Sequence, residues 1–136
     1  MALLYYYELP DNTSMSAYIP ITTKELPIAS LSPYLQSGES VSLYSTIGWQ
    51  ATGKESVPKV RFTIWRGAPF TGTSICSFID SCEADFDSFK VSNIAQVDTD
   101  FVPDQETSYV LTAQILNSNS SATIIGAFTF LLTVYQ

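Results

Sequence analysis

Cys76 and Cys82, with the carboxylates Asp80, Glu83, Asp85 and Asp87 between and just beyond them, form the densest run of chemically able side chains in this 136-residue chain. Thiols can bridge, bind soft metals or attack as thiolates. Clustered carboxylates can hold a hard cation such as Ca²⁺, or act as an acid–base pair on a glycosidic bond. The spacing removes most of these options. There is no CxxC and no Cys/His cluster, so zinc is not expected. No Asp-x-Asp-x-Asp-Gly loop is present, and Asp85 and Asp87 fall on one solvated strand face, so no metal site of any kind is expected. The chain contains no histidine, so Ser-His-Asp and Cys-His nucleophile activation cannot be assembled. Asp80 and Glu83 disfavour a thiolate at either cysteine. We therefore expect no enzyme activity and no cofactor. The thiols are left with a disulfide, preferably within the chain and otherwise between subunits, or with no bond at all.

Composition narrows the class further. Hydrophobic residues make up 46% and aromatics 13%, which excludes a disordered chain. Only 14% are charged, against about 25% in ordinary globular proteins. The net charge is −7, leaving no basic footprint for nucleic acid or for an anionic membrane. The apolar N-terminal run is too short to span a bilayer and lacks the basic region and cleavage site of a signal peptide, so Sec-type export is not expected. A chain of this length forms one domain and can bury a proper core without metals.

The elements that must position any site read as short alternating runs between turn residues, the pattern of a sandwich or jelly roll. Val41, Leu43, Ile47 and Trp49 share one face of the clearest strand, and Ser42, Tyr44, Thr46 and Gln50 the other. Val60, Phe62 and Ile64 point inward from a second strand, Tyr109, Leu111, Ala113 and Ile115 from another, and Phe128, Phe130, Leu132 and Val134 from the last. Weaker strands are expected over Ser74–Ile79, Ala84–Val91 and Ile94–Thr99, and a short one at Tyr18–Ile21. Leu26–Leu35, broken by prolines, reads as an irregular connection. Asn12-Thr13-Ser14 and Asn119-Ser120-Ser121 match the glycosylation pattern and mark surface loops.

Ala2, Leu3, Leu4, Tyr5, Tyr6, Tyr7 and Leu9 break this regularity, because they are apolar on both faces of any strand. Pro10 to Ser16 then form a polar hinge. We read residues 1–16 as a connector strand and hinge, and 17–136 as the domain proper. The connector is expected to add to the sheet of a neighbouring subunit, which propagates a head-to-tail filament. The bland reading is a first strand of the chain's own sandwich. Tyr44, Trp65, Leu131 and Tyr135 lie on nominally outward faces and are candidates for a lateral interface.

Ser45-Thr-Ile-Gly-Trp-Gln50, Pro58-Lys-Val-Arg-Phe-Thr-Ile-Trp-Arg-Gly67, Gln96-Val-Asp-Thr99, Thr107-Ser-Tyr-Val-Leu-Thr-Ala113 and Ala122-Thr-Ile-Ile-Gly-Ala-Phe-Thr-Phe130 follow one another in order. Together they resemble the small C-terminal domains of Bacillus exosporium collagen-like proteins and the related subunits of endospore appendages. The resemblance covers about two-thirds of the chain and rests on strand-core patterns. It implies an all-β jelly-roll sandwich of C1q/TNF type, commonly trimeric, on the outside of a spore and made in the mother cell. The family's Gly-X-Y stalk is missing, and the connector strand stands in its place. The expected function is thus a structural fibre subunit: trimer layers of this chain, stacked through the connector, with an anchoring and a tip protein as further partners. The alternative is a discrete trimeric spore-surface domain that binds a carbohydrate or a receptor.

Overall fold

The computed structural model describes residues 3–8, 19–52, 57–82 and 89–136, with only the backbone described for 3–8. The strands are β1 (Leu3–Glu8), β2 (Ile19–Ile21), β3 (Leu26–Leu31), β4 (Tyr34–Leu35), β5 (Ser40–Thr52), β6 (Lys59–Arg66), β7 (Thr73–Ser81), β8 (Phe89–Asp98), β9 (Gln105–Glu106), β10 (Tyr109–Ile115) and β11 (Ser121–Tyr135). One sheet runs β1-β11-β5-β8, with β2 beside β1 on the same edge of β11; the second runs β3-β10-β6-β7; β4 and β9 form a small ribbon. Counted inward from both ends of the chain, β1 and β2 pair with β11, β3 with β10, β5 with β8 and β6 with β7, alternately in the two sheets. That winding is a jelly roll, the expected all-β sandwich.

The core follows from alternation. Val41, Leu43, Ile47 and Trp49 of β5 are fully buried against Val60, Phe62 and Ile64 of β6, Tyr109 and Leu111 of β10, and Phe130, Leu132 and Val134 of β11. Each large side chain so buried contributes roughly 1.5–3 kcal/mol. Trp49 and Phe62 meet edge to face across the two sheets, with ring centroids 6.4 Å apart.

Two segments differ from expectation. Leu26–Leu31 is a strand despite Pro27, with a bulge between Pro27 and Ala29, because β3 is an edge strand and proline lacks only a donor that an edge can spare. Phe89–Asp98 is one strand rather than the ends of two. Its hydrophobic pattern is inverted: Ser92, Ile94 and Asp98 are buried, whereas Phe89, Val91 and Val97 are exposed. The expected crossing near Phe86 lies outside the described residues.

Two carboxylates stitch β8 to the second sheet. Near its start, the Trp49 indole N–H donates to Ser92 Oγ (2.8 Å), and Ser92 donates onward to Asp80 Oδ2 (2.7 Å) on β7. Lys90 Nζ lies 3.0 Å from Asp80 Oδ1. At its end, Asp98 accepts from the Tyr109 hydroxyl (2.7 Å) and from Arg66 Nη1 (3.2 Å). Polar groups buried in this way stabilise only when paired, and both clusters are.

Candidate functional site

The candidate surface is the outer face of the first sheet. Strand register sets its rows: Leu131–Tyr44–Ala95, Thr133–Ser42–Val97, Thr129–Thr46–Asn93, Gly126–Gly48–Val91 and Thr123–Gln50–Phe89, reading from β11 through β5 to β8. No residue in these rows is charged. Tyr44 is 43% exposed, Phe89 54% and Val97 60%. Tyr44, Thr46 and Asn93 form a hydrogen-bonded trio with distances of 3.0 to 3.3 Å. The charges of the neighbouring sheet are handled differently: Arg61, Lys59 and the buried Glu25 gather on or against its outer face.

A glycine pair flattens the middle of this surface. Gly126 has a φ of 151°, at a bulge in β11, where an L side chain is disfavoured. A Cβ on Gly48 would run into the Gly126 carbonyl oxygen and would also crowd the Phe89 ring. Phe89 therefore leans over Gly48, and β5 and β11 approach there as bare backbone.

Of the four lateral candidates, Tyr44, Leu131 and Tyr135 fall together on this face, in register with one another through β5 and β11. Trp65 does not. It stands on the opposite sheet, half-buried, with its indole N–H shared between Glu25 Oε2 (2.9 Å) and Thr112 Oγ1 (3.2 Å) and its ring on Phe70 at 5.8 Å. Val110, nominally outward as well, is buried. The reading from sequence missed Phe89, Val91 and Val97. Alternation along β8 puts Phe89, Val91 and Val97 on one face, but only the partners of Ser92 and Asp98 show that this face is the outer one.

The connector's Leu3–Glu8 lies antiparallel along the edge of β11, with Leu3 opposite Tyr135, Tyr7 opposite Leu132 and Glu8 opposite Leu131. In the single chain it is thus a strand of the first sheet. Ala2, Leu9 and the hinge lie outside the described residues.

An intrachain bridge between Cys76 and Cys82 is excluded. Cys76 stands in β7 and Cys82 directly follows its last residue, so the extended run between them holds their Cα atoms roughly 16 Å or more apart, where a disulfide needs at most about 7 Å. Burial pushes the Cys76 thiol above its ordinary pKa. Asp80 serves the Ser92 and Lys90 cluster; Glu83, Asp85 and Asp87 lie outside the described residues, and no group of three metal-binding side chains occurs among the described residues. Burial alone would raise the Asp80 pKa, but hydrogen bonds from Ser92, Lys90 and the Ser81 N–H outweigh it and hold the carboxyl below the usual range.

Among the described residues, clefts open at the margins of the sandwich. One, of about 600 Å³, is lined by Lys59, Ile79, Asp80 and Leu116 among others. Another, of about 460 Å³, is lined by residues including Arg66, Thr73, Asp100, Glu106 and Thr107.

No protein-family pattern matches the chain, and no curated protein matches it. Among solved structures, a viral chain from the "Structure of infectious bursal disease virus Gx strain" aligns with 97% of this chain at 14% identity and a TM-score of 0.45. The alignment takes in 37% of the viral chain, so this chain spans little more than a third of that protein's length.

Proposed function

We propose that the protein is a structural subunit of a self-assembling fibre, polymerising head to tail by exchange of β1 and packing laterally through the outer face of the first sheet. The setting that fits its sequence resemblance is the surface of an endospore, with C1q/TNF-like trimers as the layers, and anchoring and tip proteins at the ends. The observation that carries the reading is the placement of β1. It adds to the rim of a finished sandwich by backbone pairing, at the end of a ten-residue linker. Glu8 faces Leu131 and Ile19 faces Ile124. That gap of seven positions on β11 is roughly 24 Å at the rise of a strand. Ten residues of chain can span up to roughly 36 Å, more than that gap.

A strand that sits on β11 of its own chain makes the same backbone bonds on β11 of another. Exchange therefore costs little per contact and is decided by local concentration. Because donor and acceptor are different surfaces, each copy offers both, and the series runs on as an open filament where its rotation does not close into a ring. The uncharged rows of β11, β5 and β8 support lateral packing, since desolvating them removes no ion from water; Glu8 of β1, opposite Leu131, stands at their margin.

Negative-stain electron microscopy of the full chain beside a variant lacking residues 1–9 tests this. Filaments from the first and discrete particles from the second are the expected result. Discrete particles from both would leave the second reading, a trimeric binding domain, which the Arg66-lined cleft favours by offering a guanidinium beside hydroxyls and carboxylates.

A further inference from the structure

Phe70 is the most exposed aromatic side chain among the described residues, at 67%. Its backbone is left-handed, with a φ of 70°, which a bulky residue rarely adopts. Such a conformation persists only where the surrounding chain imposes it. Here the Gly67 N–H donates to Ser108 O (2.8 Å), and the Gly72 N–H closes the turn on Ala68 O (2.7 Å). The Phe70 ring rests on Trp65, which Glu25 and Thr112 hold in turn. The connection from β6 to β7 thus presents a braced aromatic knob.

The opposite end of the same two strands is hollow. Val60, Phe62 and Ile64 fill the core, so Lys59, Arg61, Thr63 and Trp65 lie on the outer face of the second sheet. Ser81 stands beside Lys59, Ile79 beside Arg61 and Ser77 beside Thr63. Lys59, Ile79, Ser81 and Leu116 border the cleft at this end, and Ile79 is 56% exposed. Lys59 and Arg66 are roughly 23 Å apart along β6, so a chain cannot fill its own cleft with its own knob.

We propose that the outer faces of the second sheets of two copies pack on each other about a two-fold axis that crosses the strands at Thr63 and Ser77, each Phe70 seated in the other copy's cleft.

Three observations select this arrangement. The axis reverses the strands and stacks β6 on β6 and β7 on β7, about 10 Å apart. Arg61 then faces Trp65, Ile79 faces Ile75, and Lys59 faces Gly67, where the turn of the knob begins. Both knobs and both clefts are used at once, which closes the contact as an isologous pair. The second observation is charge. Lys59 forms no ion pair among the described residues, and the Gly67 that it meets shares a cleft with the exposed carboxylates of Asp100 and Glu106. Strands running the same way would set Lys59 against Lys59 and leave both clefts empty. The third is the centre. Thr63 and Ser77 meet there through their hydroxyls at 3.3 Å, so the axis brings no ion against its own copy, and Arg61 keeps Glu25 and Gln114 while its guanidinium gains a facing indole. The pair uses neither β1 nor the outer face of the first sheet, and so stands apart from the fibre.

The test uses the full-length chain with Phe70 replaced by p-benzoylphenylalanine, which keeps an aromatic knob. On near-ultraviolet illumination its ketone takes a hydrogen from a touching C–H group and the two carbon radicals couple. One C–C bond forms, the ketone becomes an alcohol, and no atom is lost. A denaturing gel should show a covalent dimer of two 15.0 kDa chains, and mass spectrometry should place the link at Lys59, Ile79 or Leu116. Adding Ile79→Lys, which puts an ammonium group at an exposed position in the cleft, should lower the dimer yield at least tenfold. No dimer, a link to any other segment, a ladder of larger products, or indifference to Ile79→Lys would each overturn the two-fold pair. Filaments are scored on the same samples by electron microscopy, so failure of the pair and failure of the fibre are read separately.

Discussion

Asp98 shows how much of this fold hangs on single carboxylates. It is buried and accepts from both Tyr109 and Arg66, so Asp98→Ala strands a guanidinium and a phenol together. Removing one partner of a buried ion pair costs about 3–5 kcal/mol, and urea denaturation of that variant should show a loss of this size. Asp80 gives a pH signature with a definite sign. Its pKa is depressed in the folded state, so its contribution is present above the unfolded carboxylate value near ~3.9 and disappears as pH falls through the folded value. Thermal melts of wild type should decline below about pH 4, more steeply than those of Asp80→Asn. Gly48→Ala offers a third reading, because the added methyl meets backbone rather than a side chain that can swing away. A loss of about 1–3 kcal/mol is expected from overpacking of this kind; a neutral result would mean that the bulge at Gly126 can give way.

Among the elements, β8 separates what the sequence made legible from what it hid. β5, β6, β10 and β11 announce themselves by alternation, and every inward residue read from them is buried. β3 was obscured by Pro27, whose compatibility depends on being at an edge, a property of topology and not of local sequence. In β8 Phe89, Val91 and Val97 look outward while Ser92 and Asp98 look inward with Ile94, so a hydrophobic pattern cannot tell which face is core. Only the partners on β7, β5 and β10 explain it. The same inversion yields a prediction. Val97→Lys lies on the exposed side, so it should leave folding within about 0.5 kcal/mol of wild type while reducing lateral association, as sedimentation velocity would show. An unchanged sedimentation profile would remove this face from the assembly. The sequence was least informative about Trp65, because nothing local tells an indole that Glu25 will come from another strand's connector to bind it.

For the whole molecule, charge is partitioned: a net −7 is carried elsewhere, while the outward rows of β11, β5 and β8 carry none. Association through that face should therefore vary little with ionic strength. Dissociation constants measured at ~0.05 and ~1 M salt, where the Debye length is about 14 and 3 Å, should agree within a factor of about three. A strong salt dependence would point to charged loops as the true contact. The uncharged face has a further consequence for durability. Along the rows of β11, β5 and β8 a lateral joint consists of hydroxyl, amide, aromatic and aliphatic groups that acid does not protonate, with Glu8 of β1 brought beside Leu131 at their margin, whereas each subunit holds Asp80, its pKa depressed by its hydrogen bonds, at a seam of its own sandwich. In a material built this way the bricks would fail in acid before the mortar does.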